Sequence, residues 1–457
     1  MTASREAPAA PPRDLPWGGH AKGSRGYRRL LAALACAGVA TFAQLYSTQA
    51  LLPRLSSDLG VDAAQAALTV SFATLGLAGS VLPWSFVADR VGRVPAMTAG
   101  VMAATLLGLI APFAPGIGLL VALRCLEGVA LGAVPALAVA YLTEEISTAH
   151  TALAAGTYVA GTTVGGLLGR LVAGPISDVW GWRAAIFAVA ALGAVAAGAF
   201  IALAPRQRGF VPANRRAQSA ASQAAASQPA ASQSAVARLA ASQASASQPA
   251  VAGRLAALFN RRLGALYFQA FALMGGFVAI YNFLGFRLEL PPFALPTAFT
   301  SLLFLAYLSG TFSSGYAARL SGRFGRRAVI IASIALMAAG VLLTIPDWLP
   351  SILAGLLLLT AGFFGAHGLG SGWIGTLATA GRAQAAALYN LAYYAGSSLV
   401  GWLGGLVFQS FGWSWLAVGT GAVALGTAAV AAVAHPAALA SQRRGLVTAP
   451  EGAARDR

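Results

Sequence analysis

Twelve apolar runs of roughly twenty residues fill most of this chain, and they limit its fold more than any other feature. An apolar run of about 20 residues crosses a bilayer as a helix, because hydrocarbon offers no partner to an unpaired backbone amide. The runs lie near 28–52, 64–88, 94–114, 117–142, 151–175, 183–204, 263–286, 297–320, 328–346, 349–371, 383–408 and 412–436. Composition agrees. The 457 residues are 58% hydrophobic and only 9% charged, against about 25% charged in an average soluble domain. So few charges cannot build a water-facing surface, so lipid is expected to cover most of the outside.

The formal net charge of +17 would suggest a nucleic-acid partner if it were clustered. It is not. The arginines sit in alternate gaps between runs, which is a topology signal. With the N-terminus in the cytoplasm, Arg28, Arg29, Arg90, Arg93, Arg206, Arg208, Arg261, Arg262, Arg323, Arg326 and Arg327 face inward. The outward gaps keep few, among them Arg54, Arg183 and Arg287. Both termini are therefore expected in the cytoplasm. No nucleic-acid partner is expected, since no basic helix carries interleaved aromatics. No cleavable signal peptide is expected in the polar first 27 residues. Cys36 and Cys125 lie inside apolar runs and read as small hydrophobes, not as a disulfide or metal pair.

Residues 205–262 interrupt the pattern. Ala-Ser-Gln recurs from Arg216 to Arg254, as at Ala221-Ser222-Gln223, with scattered prolines and no apolar period. This composition reads as a disordered cytoplasmic linker. The two sides of it echo each other. Arg90-Val91-Gly92-Arg93 matches Arg323-Phe324-Gly325-Arg326, Trp180-Gly181-Trp182 matches Phe411-Gly412-Trp413, and Tyr46 matches Tyr281, at nearly one offset. The expected architecture is an all-α membrane protein of twelve transmembrane helices in two six-helix pseudo-repeats. The tails are 1–27 and 437–457, the bundles 28–204 and 263–436, and the linker 205–262.

The turn Ser85-Phe86-Val87-Ala88-Asp89-Arg90-Val91-Gly92-Arg93 carries a possible gate. Gly92 permits a tight reversal, and Asp89 is an anion able to cap a neighbouring helix. Its arginines can pair with acids when the bundle is closed on that side, which biases one of two states. An ordinary positive-inside turn is the alternative. The segment resembles the loop signature of the major facilitator superfamily, Gly-x-x-x-Asp-Arg-x-Gly-Arg-Lys, departing from it at Ser85 and Val94. In the second copy Gly322 stands at the acid's position, leaving Arg323, Gly325 and Arg326.

Two further segments resemble motifs of the proton-coupled antiporters in that superfamily. They are Arg124-Cys125-Leu126-Glu127-Gly128, with Glu127 at a Gln position, and the glycines 156, 161, 165, 166, 169 and 174 of the fifth run. Close helix packing is the other role of such glycines. Tyr46-x-x-Gln49-x-Leu51-Leu52-Pro53, Tyr141-Leu142-Thr143-Glu144-Glu145-Ile146 and Ser371-Gly372-Trp373-Ile374-Gly375 extend the likeness to the drug:proton antiporter group over roughly 28–435. The resemblance implies the major facilitator fold and secondary transport, and names no substrate.

Charges in the bilayer core are expensive and functional by default. Glu127 is the one carboxylate well inside a run. Arg124 lies one turn away on the same face. Burial disfavours its charge and Arg124 favours it, so movement of the arginine would change its hold on a proton. A static ion pair is the alternative. His367 is a second titratable candidate, or else a packed polar contact. Arg170, nearer the outer end of its run, is expected to snorkel, with a gating role as the alternative. In the superfamily fold the first, fourth, seventh and tenth helices line the cavity. This makes Tyr46, Gln49, Tyr281 and Asn282 the preferred substrate contacts, with Trp373 and Tyr393 beside them.

No phosphate-binding Gly-x-x-x-x-Gly-Lys-Ser/Thr loop and no metal-ligand cluster is visible, so neither ATP hydrolysis, nor a cofactor, nor an enzyme is expected. The expected partners are a small-molecule substrate, protons and lipid, with the chain working as a monomer in a bacterial inner membrane. The expected function is proton-coupled efflux of a drug, sugar or metabolite. An uptake symporter or facilitator is the alternative within transport, and a receptor or scaffold that kept the fold lies outside it.

Overall fold

The structure is a computed structural model, and it describes residues 17–210, 257–378 and 381–435. The Ala-Ser-Gln repeats, residues 1–16 and residues 436–457 lie outside the described residues. The first half contains α1 (Arg25–Leu45), α2 (Leu52–Leu59), α3 (Ala63–Val91), α4 (Arg93–Ile110), α5 (Ile117–Leu131), α6 (Ala133–Glu145) and α7 (Thr151–Leu203). The second contains α8 (Arg261–Glu289), α9 (Thr297–Leu302), α10 (Tyr307–Phe324), α11 (Arg326–Leu343), α12 (Leu349–Leu377), α13 (Arg382–Phe411) and α14 (Trp413–Ala434).

Among the described residues, ten helical stretches are long and apolar enough to cross a membrane. The expectation of twelve counts two cases differently. The helix α7 joins two arms across Gly181, where φ is 79°. The eighth run is split into α9, a 3-10 turn Leu303–Ala306 and α10, and it is rich in serine. The exterior is apolar, as lipid requires: Phe312, Phe113 and Val195 are among its exposed large side chains.

The matched turns have matched backbones. Gly92 and Gly325 adopt φ/ψ of 102°/163° and 82°/148°, while Gly181 and Gly412 adopt 79°/169° and 81°/−176°. A side chain at such φ would be strained, so glycine sits at each reversal. One end of the bundle gathers Arg25, Arg93, Arg261, Arg326 and Arg382 at helix starts. The other carries Gly60, Gly116, Gly181 and Gly412, and is called the opposite end below.

The fifth run's glycines form a ladder. A methyl built on Gly161, Gly165 or Gly169 would lie 2.7, 2.6 and 2.4 Å from backbone atoms of Ala35, Val39 and Ala43 respectively. Spaced four apart on one face of α7, they let α1 lie against it with backbones nearly touching.

The side-chain hydrogen bonds that join the halves lie between mid-bundle and the opposite end. Thr74 meets Ser398 at 2.7 Å, and Gln49 donates to Asn282 at 2.7 Å. Arg54 binds Asp178 at 2.9 Å and Thr297 at 3.3 Å. Asp178 in turn accepts from the Thr297 and Ala298 amides at 3.2 and 2.7 Å, at the start of α9. The carboxylate at a helix start satisfies amides that have no partner within the helix.

Candidate functional site

The first run breaks where its chemistry sits. The helix α1 stops at Leu45, a 3-10 turn covers Gln49–Leu51, and α2 resumes at Leu52. Pro53 has no amide to offer the Gln49 carbonyl, so a regular helix cannot run through. Thr48 Oγ1 accepts from Thr69 Oγ1 at 3.1 Å, which pins the break to α3. Non-helical backbone at membrane depth persists only where protein or a cavity surrounds it.

Two buried arginines flank this break. Arg124 on α5 is 0% exposed. Its Nη1 donates to Glu127 Oε2 at 2.6 Å, its Nη2 to the Leu45 carbonyl at 2.5 Å, and its Nε to the Thr69 carbonyl at 3.4 Å. The Leu45 carbonyl belongs to the last turn of α1, where unpaired carbonyls attract a cation. Beside this pair lies Gln44, which is fully buried. Its Nε2 donates to the Ala40 carbonyl at 2.9 Å, while its Oε1 has no hydrogen-bond partner. A methyl built on Gly108 would lie 2.8 Å from Gln44 Oε1 and 3.2 Å from Glu127 Oε1, so both oxygens border one small gap.

Arg170 is the second. It is 2% exposed, so the expectation that it snorkels to the membrane surface fails. Rings explain why. Its guanidinium carbon lies 4.3 Å from the Tyr46 ring centre, 4.7 Å from Phe304 and 4.9 Å from Tyr307. Nε and Nη2 donate to Gln49 Oε1 at 2.8 and 2.5 Å, and Nη1 to the Gly166 carbonyl at 2.7 Å. The same Gln49 donates to Asn282. Tyr281 gives its ring to Phe304 and Tyr307 and its hydroxyl to Thr360, at 2.7 Å. The segment 45–49 therefore serves both arginines: a carbonyl to Arg124, a ring and an amide to Arg170.

Of the expected cavity residues, Tyr46, Gln49, Tyr281 and Asn282 are brought together here. Tyr393 packs on His367, with centroids 4.7 Å apart, and on Tyr394. Trp373 does not join them; it stacks on His435 at 4.4 Å. His367 is held by Tyr389, whose hydroxyl is 3.0 Å from Nδ1, and stacks on Phe363. Phe304 and Tyr307, absent from the expected set, are supplied by the split eighth run.

At the arginine-rich end, Arg93 binds Asp89 at 2.8 Å and Glu144 at 3.0 Å. Asp89 therefore does not cap α4; Gln207 Oε1 does so, accepting from the Arg93 amide at 2.9 Å. In the second copy Arg326 donates to Thr376 at 3.0 Å, Arg323 lies over Phe324, and Gly325 makes the turn. Arg90 is exposed.

The family model described as Major Facilitator Superfamily matches residues 34–313. The chain is 33% identical over 392 residues to the uncharacterized MFS-type transporter YybF of Bacillus subtilis, covering 86% of this chain and 90% of that protein. It is 34% identical over 393 residues to the inner membrane transport protein YnfM of Escherichia coli, covering 86% and 87%. A solved bacterial homologue of the human lysosomal transporter Spinster, in an inward-facing and occupied conformation, superposes with a TM-score of 0.67 at 14% identity, over 90% of this chain and 97% of that one. The family model and the two relatives identify this protein as a multi-span membrane transporter for small molecules and not an enzyme, and the chain belongs to the major facilitator superfamily.

Proposed function

We propose that this transporter is a proton-coupled exporter of a small organic molecule, working as a monomer in a bacterial inner membrane. Its arginine-rich end faces the cytoplasm. Two six-helix bundles, 28–204 and 263–436, alternate access between the faces. The observation that carries the reading is the buried Arg124–Glu127 pair tied to the Leu45 carbonyl at the break in the first run.

A proton arriving on Glu127 cancels the charge that holds Arg124. The neutral carboxyl then has an O–H to donate, and the partnerless Gln44 Oε1 is the acceptor across the Gly108 gap. Arg124 is freed to shift against Leu45, and the break moves with it. Gln49, four residues on, holds Arg170 and Asn282, so that movement loosens the contact between the halves. The bonds joining the halves toward the opposite end fit a conformation shut to the outside. Glu127 thus links proton occupancy to the outer closure, which coupling requires.

The test is growth protection across a broad compound panel in a pump-deficient bacterial host. Wild type and Glu127→Gln are compared at matched membrane levels. Protection by the wild type should be lost in the mutant. Undiminished protection by Glu127→Gln would sink the proton reading. Protection against nothing at all would count against export.

A further inference from the structure

The two buried arginines differ in one respect. Arg124 has Glu127, whereas no carboxylate among the described residues forms an ion pair with Arg170. It is held by neutral groups: an amide oxygen, a backbone carbonyl and three ring faces. Dipoles and ring quadrupoles stabilise a cation but leave its net charge in place. In a medium of low dielectric constant an uncompensated charge draws an anion strongly. The guanidinium has five N–H donors in a planar fork, and three are used.

A second donor waits nearby. Asn282 is 1% exposed, and its Nδ2 has no partner although its Oδ1 accepts from Gln49. Gln49 therefore bridges a buried cation and a buried unsatisfied N–H. Both sit where the halves meet, beside an element whose regular structure is interrupted. Unsatisfied buried donors call for an explanation, and a ligand is one. The ring faces around Arg170 would contact an apolar or aromatic body.

We infer that the transported substrate is an organic anion, a carboxylate on an apolar or aromatic body, whose oxygens bind Arg170 and Asn282 when Gln49 moves aside. The planar fork suits a carboxylate in two-point contact. This rests on the transporter reading but not on its proton step, since binding at fixed pH needs no coupling.

The experiment uses the full purified chain in nanodiscs, with thermal stabilisation as the readout. The probes are benzoate, cinnamate and octanoate, with benzyl alcohol and benzylamine as the neutral and cationic counterparts. The carboxylates should raise the melting temperature with saturation, and the counterparts should not. Arg170→Gln should weaken carboxylate binding roughly ten-fold or more. Arg170→Lys, which keeps the charge and loses the fork, should bind weakly with the same preference for anions. Asn282→Leu should weaken binding by a few-fold. Binding is read at one fixed pH with no proton gradient, so a failed proton test leaves this one readable. Equal stabilisation by benzylamine, unchanged binding by Arg170→Gln, or no stabilisation by any carboxylate would each overturn the inference.

Discussion

The first half keeps its charges inside, and the second half packs rings in the corresponding depth. Arg124, Glu127 and Arg170 are all buried and all belong to the first half. The second half offers Phe277, Phe363, His367, Tyr389 and Tyr393, their rings packed against one another. Its histidine there, His367, is held by a phenol and a ring face. A charge can change partners when a proton arrives, while stacked rings favour one arrangement. The halves share a backbone plan, as the paired glycine turns show, yet they differ inside: the first half buries ionic groups and the second buries rings.

The strongest way to break this comparison is to remove a charge from one half and a ring from the other. Arg124→Leu strands the Glu127 carboxylate in the bundle and should destabilise the protein by about 3–5 kcal/mol. The double variant Arg124→Leu with Glu127→Leu should recover most of that loss, because a well-packed apolar pair replaces a buried ion pair at little cost. His367→Leu should cost only about 1 kcal/mol, as Tyr389 still reaches the His367 carbonyl oxygen at 3.3 Å. Thermal unfolding of each purified variant measures all three. A single-variant loss no larger than that of His367→Leu would show that the ion pair does not organise the first half.

Much of this was legible in the sequence, and the remainder was hidden for physical reasons. The spans could be read because lipid imposes a length on each apolar run. The turns at Gly92 and Gly325 could be read because a reversal needs a residue free of Cβ strain. Arg124 and Glu127 could be paired because three residues on a helix share a face. Arg170 could not be placed, since depth along one helix says nothing about rings arriving from Phe304 and Tyr307. The break at 46–51 had a signal in Ser47, Thr48, Gln49 and Pro53, but the surrounding apolar residues carry the run across it. The split of the eighth run at Leu303–Ala306 likewise follows tertiary contacts, among them Arg170 over Phe304. Asp89 was assigned a capping role that Gln207 performs, because Gln207 lies far along the chain and only folding brings it there.

The turns sharpen the comparison at a smaller scale. Arg93 is buried between Asp89 and Glu144, whereas Arg326 is exposed and bonded to a threonine hydroxyl. Arg93→Ala removes charged hydrogen bonds from a partly buried site and should destabilise the first half by about 2 kcal/mol. Arg326→Ala should change stability by less than about 0.5 kcal/mol, as exposed contacts of this kind do. Equal losses would mean that the second turn is as tightly held as the first.

The smallest effect asks whether the missing acid alone distinguishes the two turns. Asp89 and Arg93 are four residues apart, and so are Gly322 and Arg326. A Cβ at Gly322 meets nothing within 4 Å and the position is exposed, so an acid has room there. The backbone of the second turn already matches the first, with φ of 82° at Gly325 against 102° at Gly92. Gly322→Asp should therefore form the pair directly and stabilise by roughly 0.3–0.5 kcal/mol, with a similar addition from replacing a helical glycine. Salt should erase the first part and leave the second, because only the ion pair is screened. Melting curves of Gly322→Asp and Gly322→Asn, which have nearly the same helix propensity and differ in charge, separate the two at low and high ionic strength. If the aspartate variant gains nothing over asparagine at low salt, the equivalence of the turns ends at the backbone. The tight hold on Arg93 then comes from Glu144, which reaches it from α6, and not from the acid one turn before it.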